Sequence, residues 1–217
     1  MDILEATGSR HSTRAFRDDP VPRELLEQIL DAASRAPSAM NLQPWEVHMV
    51  LGEELKRLSR RLMRAFKERQ ITCGPGTGQP LPEQIKVRTR GVRDGMAPLV
   101  EQMGADFGTY INEGSLNFYG APAAALMFLD ELHPPERALD VGIFLAYLLL
   151  AAKSHGIGTC PIGLITAYAD EIKDHLNVPE SKRLLIAVAM GLPDPGAPVN
   201  TFESARIAVT DFVRWVE

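Results

Sequence analysis

Cysteine is scarce in this 217-residue chain, which has only Cys73 and Cys160. Two cysteines cannot build the disulfide framework of a small secreted domain, so we expect a reducing, cytoplasmic location. They do not form a Cys-x-x-Cys motif, and the five histidines are widely spaced along the chain. Because no potential ligands occur at metal-binding spacing, we expect no metal site.

An excess of positive charge is also lacking. The chain has 23 Lys and Arg against 28 Asp and Glu, a formal net charge of −5 at pH 7. Because nucleic-acid binding draws on a broad basic surface, we expect no nucleic-acid partner. The longest nearly continuous apolar stretch, 141–152, is shorter than the roughly 20 residues that span a bilayer. No basic segment followed by an apolar one opens the chain, so we expect neither a secretory signal nor a membrane partner.

The apolar content of 45% suits one globular domain over 1–217. Apolar periodicity and the positions of proline and glycine predict helices that alternate with strands. The predicted helices cover 22–36, 53–70, 136–153 and 168–176, and the predicted strands cover 45–51, 121–130 and 184–190. Because helices separate most of the strands, the pattern indicates an α/β or α+β class.

The remaining stretches carry weaker signals. Glycine and proline fill 72–82 and 156–164, which predicts loops, and 83–118 is predicted to be only partly helical. We interpret 70–115 as a variable cover over a site, because long loops inside compact domains are usually functional or mobile.

The glycine-rich segments match neither nucleotide-binding fingerprint. The segment 74–78 lacks the Lys-Ser/Thr that completes a phosphate-binding P-loop. The segment 156–161 lacks the third glycine of the dinucleotide motif and follows a helix instead of a strand. Cys160 could be a nucleophile with His155 nearby, but we favour a small buried residue in a turn, because nothing near it orients a base.

Three segments could bind a polar ligand. In an extended chain, alternation puts Arg10, Ser12 and Arg14 on one side, where guanidinium groups and a hydroxyl suit a phosphate. The alternative is a solvated surface turn. The loop 37–44 could present amide edges to a planar polar ring, or simply connect a helix to a strand. Arg206 stands alone before the final apolar run.

The order of these segments carries a family resemblance. The chain reads R-H-S-x-R-x-F from residue 10, A-P-S-A-x-N-x-Q-P-W from 36, G-I-G-T-C-P-I-G-L from 156, and G-x-P…N-T-F-x-x-x-R from 191. It resembles the nitroreductase family of FMN-dependent oxidoreductases, and within it the nitrobenzoate-reductase-like members. The resemblance implies an α+β fold with a central mixed sheet flanked by helices, in an intertwined homodimer with FMN at the interface.

The resemblance also implies a set of FMN-binding residues but no catalytic acid. It assigns the phosphate and one ring edge to Arg10, Ser12 and Arg14, with His11 hydrogen-bonding nearby, and it gives Arg206 to the phosphate. Ser204 stands where some members of the family have a second cation. From the other subunit, the ring and ribityl chain would contact Pro37, Ser38, Ala39, Met40 and Asn41. One face of the ring would lie against Pro161, Ile162, Gly163 and Leu164, with the amides of the last two directed toward flavin N5.

The implied activity is a ping-pong transfer of hydride from NADH or NADPH through flavin N5 to a nitroaromatic, quinone or similar acceptor. The alternatives are another substrate class on the same fold, dehalogenation included, and a flavin-binding protein without turnover. The arginines at 88, 90 and 93 indicate either an anionic substrate such as an aromatic carboxylate or, as the alternative that we favour, a surface helix or loop with solvated arginines. A dehalogenase would need Glu101, Tyr110 and Lys86 around a zwitterion, at a spacing that we do not recognise. The apolar helix near 141–152 and the C-terminal run could pack on a partner subunit or belong to a deep monomer core.

Overall fold

A computed structural model describes residues 2–74 and 79–217. A four-stranded sheet forms its centre, with the strands in the order β1-β2-β4-β3 and all three ladders antiparallel. The strands are β1 (Trp45–Leu51), β2 (Ala123–Asp130), β3 (Gly158–Ile162) and β4 (Lys182–Gly191). The α+β class is confirmed. The expected mixture of strand directions is limited, within the described ranges, to an isolated parallel bridge between Ser12 and Thr159.

Helices cover both faces of this sheet. They are α1 (Ile3–Ser9), α2 (Arg23–Ser34), α3 (Gly52–Arg69), α4 (Glu83–Gln102), α5 (Phe107–Leu116), α6 (Ala138–Ser154) and α7 (Ala169–Leu176). Short 3₁₀ turns lie at Ala39–Asn41, Phe118–Gly120, Pro135–Arg137, Leu164–Tyr168, Pro198–Thr201 and Val209–Asp211. None of the helices in the described part of the chain has the length and apolarity needed to cross a bilayer.

Strand β2 lies at the centre of the fold, and its residues from Ala123 to Leu129 are fully buried. Because successive side chains of a strand point to opposite faces, Leu126 and Phe128 pack with α3, α5 and α7. Met127 and Leu129 pack with α2 and α6 on the other face. Burying each of these large side chains contributes roughly 1.5–3 kcal/mol. Burial on both faces explains why this strand is a continuous apolar run.

The structure corrects several boundaries. Pro22 is the N-cap residue of α2 and not its first helical residue. Helix α1 was not predicted from the sequence. The predicted loop 156–164 contains strand β3, in which Pro161 is tolerated because an edge strand leaves one row of amides unpaired. The range 83–118 is more regular than predicted, since α4 and α5 occupy most of it. Of the predicted loop 72–82, residues 75–78 lie outside the described residues.

Two apolar surfaces are left uncovered by this chain. On α6, Leu139 and Tyr147 are 69% and 41% exposed, although Phe144 and Leu148 of the same helix are buried. In the C-terminal segment, Trp215 is 83% exposed. Within the described chain, α6 is therefore not part of a deep monomer core, and the alternative that it packs on a partner subunit stays a prediction.

Candidate functional site

The N-terminal segment that carries two arginines runs beside edge strand β3. Helix α1 ends at Ser9, and the chain then continues in an extended conformation through Arg10. Ser12 forms a parallel bridge with Thr159, and the amide of Thr13 donates to the Thr159 carbonyl at 2.9 Å. Since side chains alternate along an extended segment, Thr13 is buried in the protein while the residues on either side of it are half-buried.

The exposed side of this segment forms a cavity of about 470 Å³ together with the C-terminal segment. The cavity collects the five residues that the resemblance assigns around the phosphate, Arg10, His11, Ser12, Arg14 and Arg206. Nδ1 of His11 is 3.2 Å from the carbonyl oxygen of Ser9. Val92 of α4 and Glu203 complete part of the wall. The fold thus brings residues from opposite ends of the chain to one place.

Among the described residues, no carboxylate forms an ion pair with an arginine of this cavity. Four arginines in the described ranges are half-buried, and two of them, Arg61 and Arg137, pair with aspartates. In contrast, Arg10 and Arg14 form no ion pair with any residue of 2–74 or 79–217, and neither does the exposed Arg206. An ordinary structural arginine at this depth would be paired, so the cluster is arranged to receive an anion.

The hydrogen bonds of these arginines leave their positive charge uncompensated. Arg206 donates to the Ser204 carbonyl at 2.7 Å and to its Oγ at 2.6 Å, and Arg14 donates to the Ser12 carbonyl at 3.4 Å. Burial lowers the pKa of Arg10, and the neighbouring charge of Arg206 lowers it further. A bound phosphate would relieve this repulsion and accept charge-assisted hydrogen bonds. The residues present therefore fit the phosphate end of FMN.

The chain surface is open just after strand β3. Gly163 is exposed, and a Cβ placed on it would meet no atom within 4 Å. Ile162 and Leu164 are buried on either side, while Pro161 is half-buried. Leu164 begins a 3₁₀ turn, and the first amides of such a turn have no acceptor within it. This surface can accept a planar ring and donate hydrogen bonds to its edge.

The loop at 37–41 lies elsewhere on this chain. The amide of Ala39 is 3.4 Å from Oδ2 of Asp140, close to the beginning of α6. Met40 and Asn41 have left-handed φ angles of 47° and 59°, and Met40 is 95% exposed. Strained, exposed residues of this kind cluster at ligand and partner sites. Pro37, Ser38 and their neighbours do not line the arginine cavity. Within a single chain, this part of the predicted site is therefore separate from the arginines.

Asn200 belongs to the site, although sequence reasoning gave it no role. Its Oδ1 accepts from the amides of Arg14 at 2.8 Å and Ala15 at 3.2 Å, and its Nδ2 donates to the carbonyls of Ala15 and Asp194 at 2.8 and 3.0 Å. One amide side chain therefore uses its full hydrogen-bonding capacity to fix the backbone at Arg14. The sequence feature that could have identified Asn200 is its position at the start of the Asn-Thr-Phe motif.

Cys160 has the character of a small buried core residue. It is 2% exposed, and burial raises the pKa of its thiol. Because the thiolate is the nucleophilic form, a raised pKa disfavours covalent catalysis by this residue.

An α+β fold with an uncompensated arginine cavity and an open glycine surface at the end of β3 indicates a protein that binds a phosphate-bearing planar cofactor. Comparison with known proteins gives this class a name. A family model described as "Nitroreductase family" matches residues 8–192. The chain belongs to the nitroreductase family, so the family resemblance predicted from the sequence is confirmed.

Relatives match over nearly the whole chain. Nitroreductase NfnB of Mycolicibacterium smegmatis is 34% identical over 209 residues, which cover 95% of this chain and 89% of that protein. The 4-nitrobenzoate reductase of Pseudomonas putida is 29% identical, with 99% and 96% covered. Among solved structures, the FMN-dependent nitroreductase NfnB from Mycobacterium smegmatis in complex with NADPH superposes with a TM-score of 0.84 at 30% identity, and both chains are covered completely.

Proposed function

We propose that this protein is an FMN-dependent NAD(P)H oxidoreductase that reduces a nitroaromatic, a quinone or a similar oxidised acceptor. The observation that carries the proposal is the convergence of Arg10, Arg14 and Arg206 on one cavity, where none of the three pairs with a carboxylate of residues 2–74 or 79–217. The names of the relatives support it, because NfnB is described as FMN-dependent and was solved with NADPH. The relative from Pseudomonas putida is named for the reduction of nitrobenzoate.

The chain's own residues would bind and orient the cofactor. Bound FMN supplies the redox chemistry, taking two electrons from NADH or NADPH and giving them to the acceptor. Arg10 and Arg206 neutralise its phosphate, and Ser12 adds a hydrogen bond. The amides of Gly163 and Leu164, at the beginning of a 3₁₀ turn, would be preorganised donors for charge that develops on the ring. The open surface at Gly163 offers one place for donor and acceptor in turn, which favours a ping-pong sequence and requires no side-chain acid.

We also propose a homodimer with the cofactor at its interface, located in the cytoplasm. The exposed apolar residues of α6 and of the C-terminal segment need a cover, and a second copy of this chain supplies one. The same arrangement allows the loop 37–41 of one subunit to reach the cofactor of the other, as the family resemblance implies. Sedimentation should give about twice the chain mass of 23.9 kDa.

Dehalogenation of a zwitterion is disfavoured by the position of the residues it would need. Lys86 and Glu101 lie in the same helix, 15 residues and therefore about 22 Å apart, and Lys86 is 3.6 Å from Glu83. The hydroxyl of Tyr110 already donates to the carbonyl of Arg14. An anionic substrate recognised by arginines of α4 stays a prediction.

The visible spectrum of the purified protein tests the proposal, followed by anaerobic titration with NADH and with NADPH. We expect flavin absorption that bleaches on reduction and returns when a nitroaromatic or quinone is added. Flavin that neither nucleotide bleaches would indicate a binding protein without turnover. A protein that contains no flavin and takes up none from added FMN would refute the cofactor assignment itself.

A further inference from the structure

A second basic surface lies on α3, apart from the arginine cavity. The helix buries one face through Leu55, Leu58 and Leu62, which are at most 2% exposed. Because these residues recur every three or four positions, the opposite face of the helix is directed to solvent. That face borders a groove of about 730 Å³, and the five cations that line the groove are Arg57, Arg60, Arg61, Arg64 and Lys67. The groove and the arginine cavity have no lining residue in common.

No carboxylate lines this groove in the described part of the chain. Two of the five cations have carboxylate partners outside the lining. Nε of Arg57 donates to Glu54 at 2.8 Å, and Arg61 pairs with Asp174. The free cations of the groove, which form no ion pair with any residue of 2–74 or 79–217, are Arg60, Arg64 and Lys67.

The free cations lie close enough along α3 to repel one another. At a rise of 1.5 Å per residue, they span about 10 Å of the helix axis. Arg60 and Arg64 are four positions apart on one helix face, where like charges destabilise a helix. The helix dipole favours a cation in the last turn, which accounts for Lys67 but not for the two arginines further from the helix end. The groove therefore concentrates positive charge that a bound polyanion would balance.

The rest of the lining favours a chain of phosphates over other polyanions. No Phe, Tyr or Trp lines the groove among the described residues, and the ring of His175 is held by Glu54 at 2.7 Å, so a nucleobase finds no free ring on which to stack. Met63 is the one apolar residue in the described lining, whereas bound peptides are normally anchored by apolar side chains in pockets. Arginine forks bind phosphate oxygens bidentately.

We propose that the groove along α3 is a second anion site that binds a chain of phosphates, either a free oligophosphate or the phosphate chain of a nucleotide. The free cations make the charge-assisted contacts. This inference does not depend on the proposed function, because it uses none of the residues assigned to FMN. Helices α3 and α6 pack on opposite faces of the sheet, so a partner subunit that covers α6 would leave the groove open.

Calorimetric titration of sodium tripolyphosphate into protein saturated with FMN tests the inference. We expect one binding site per chain, with an affinity that falls as salt is added. Arg60→Gln combined with Arg64→Gln should weaken binding by about tenfold or more, because each charge-assisted hydrogen bond contributes roughly that factor and water reduces the contribution of exposed groups. Should this double variant not fold, Lys67→Gln alone should weaken binding as well.

A second double variant controls for net charge. Arg23→Gln combined with Lys56→Gln removes the same two charges from α2 and α3 outside the groove, and it should leave the affinity for tripolyphosphate within about twofold. Arg206→Ala should do the same, since Arg206 lines the other cavity. An equal loss in the charge control would mean nonspecific attraction, and a large loss in Arg206→Ala would place tripolyphosphate in the arginine cavity. Either result overturns the second site.

Two further ligands define what the groove recognises. ATP carries the same phosphate chain on a nucleoside. Tighter binding of ATP would identify a nucleotide as the source of the chain, and equal or weaker binding would identify the free oligophosphate. A triglutamate peptide should bind about tenfold more weakly than tripolyphosphate, because its carboxylates are more widely spaced. Absence of saturable binding by tripolyphosphate, or equally tight binding of the peptide, would overturn the phosphate assignment.

Discussion

Arg206 offers the most direct test of the phosphate site. Its Nη1 bonds to the carbonyl and hydroxyl oxygens of Ser204, which leaves its remaining N–H groups free to bind an anion. A charge-assisted hydrogen bond contributes roughly 1.5–3 kcal/mol, and the exposure of Arg206 to water and salt favours the lower half of that range. We therefore expect Arg206→Ala to weaken FMN binding by about 10- to 40-fold.

Riboflavin, which lacks the phosphate, is the internal control in this assay. Fluorescence titration of apo-protein should give the same riboflavin affinity for the wild type and Arg206→Ala, while the FMN affinities differ. Arg60→Ala serves as the protein control, because Arg60 is an exposed arginine of α3 that lines a separate groove. Raising the ionic strength should reduce the FMN affinity of the wild type more than that of the variant.

The assignment of Arg206 to the phosphate would be refuted by either of two results. One is an unchanged FMN affinity. The other is an equal loss for FMN and riboflavin, which would mean that the substitution disturbs the ring site or the fold.

Two further experiments test the open surface at Gly163 and the phenol of Tyr119. Gly163→Val should leave the melting temperature of the apo-protein unchanged, because its surroundings are open, but should abolish tight binding of both FMN and riboflavin; retained riboflavin binding would move the ring elsewhere. Burial raises the pKa of Tyr119, which means that the folded state favours the neutral phenol. The contribution of this phenol to the free energy of unfolding is therefore intact below pH 10 and is lost as pH rises toward about 12. In urea denaturation, the free energy of unfolding of the wild type should fall by about 2–3 kcal/mol more than that of Tyr119→Phe across this pH interval. Equal pH dependence of the two proteins would contradict the burial of the Tyr119 hydroxyl.

The parts of the fold that the sequence predicts well are those with one strong local signal. The boundaries of β1 match the alternation from Trp45 to Leu51, and β2 follows from its apolar run. Strand β3 was not predicted because it begins with Gly158 and contains Pro161, both unfavourable in a strand, and its strand conformation depends on pairing with β4. The first half of α4 was also hidden, since no residue from Glu83 to Gly95 is buried and the stretch therefore lacks an apolar period.

In the candidate site, too, the residues with a local sequence signal could be predicted and the others could not. The alternation of Arg10, Ser12 and Arg14 is local and could be read directly, because the segment is extended beside β3. The convergence of Arg206 on them depends on the path of the whole chain, and only the family resemblance indicated it.

The charge distribution explains why the arginine cavity is better understood as a binding site than as a part of the scaffold. Acidic residues outnumber basic ones by 28 to 23, so carboxylates are not scarce. The fold uses them elsewhere, pairing Arg61 with Asp174 and Arg137 with Asp140, both at half-buried arginines. Glu203 also lines the cavity, but neither Arg10 nor Arg14 forms an ion pair with it or with any other described residue. Arg14 instead donates from its guanidinium to the Ser12 carbonyl and from its backbone amide to Oδ1 of Asn200. The described chain therefore leaves the charge of these arginines uncompensated, and an anionic ligand would balance it.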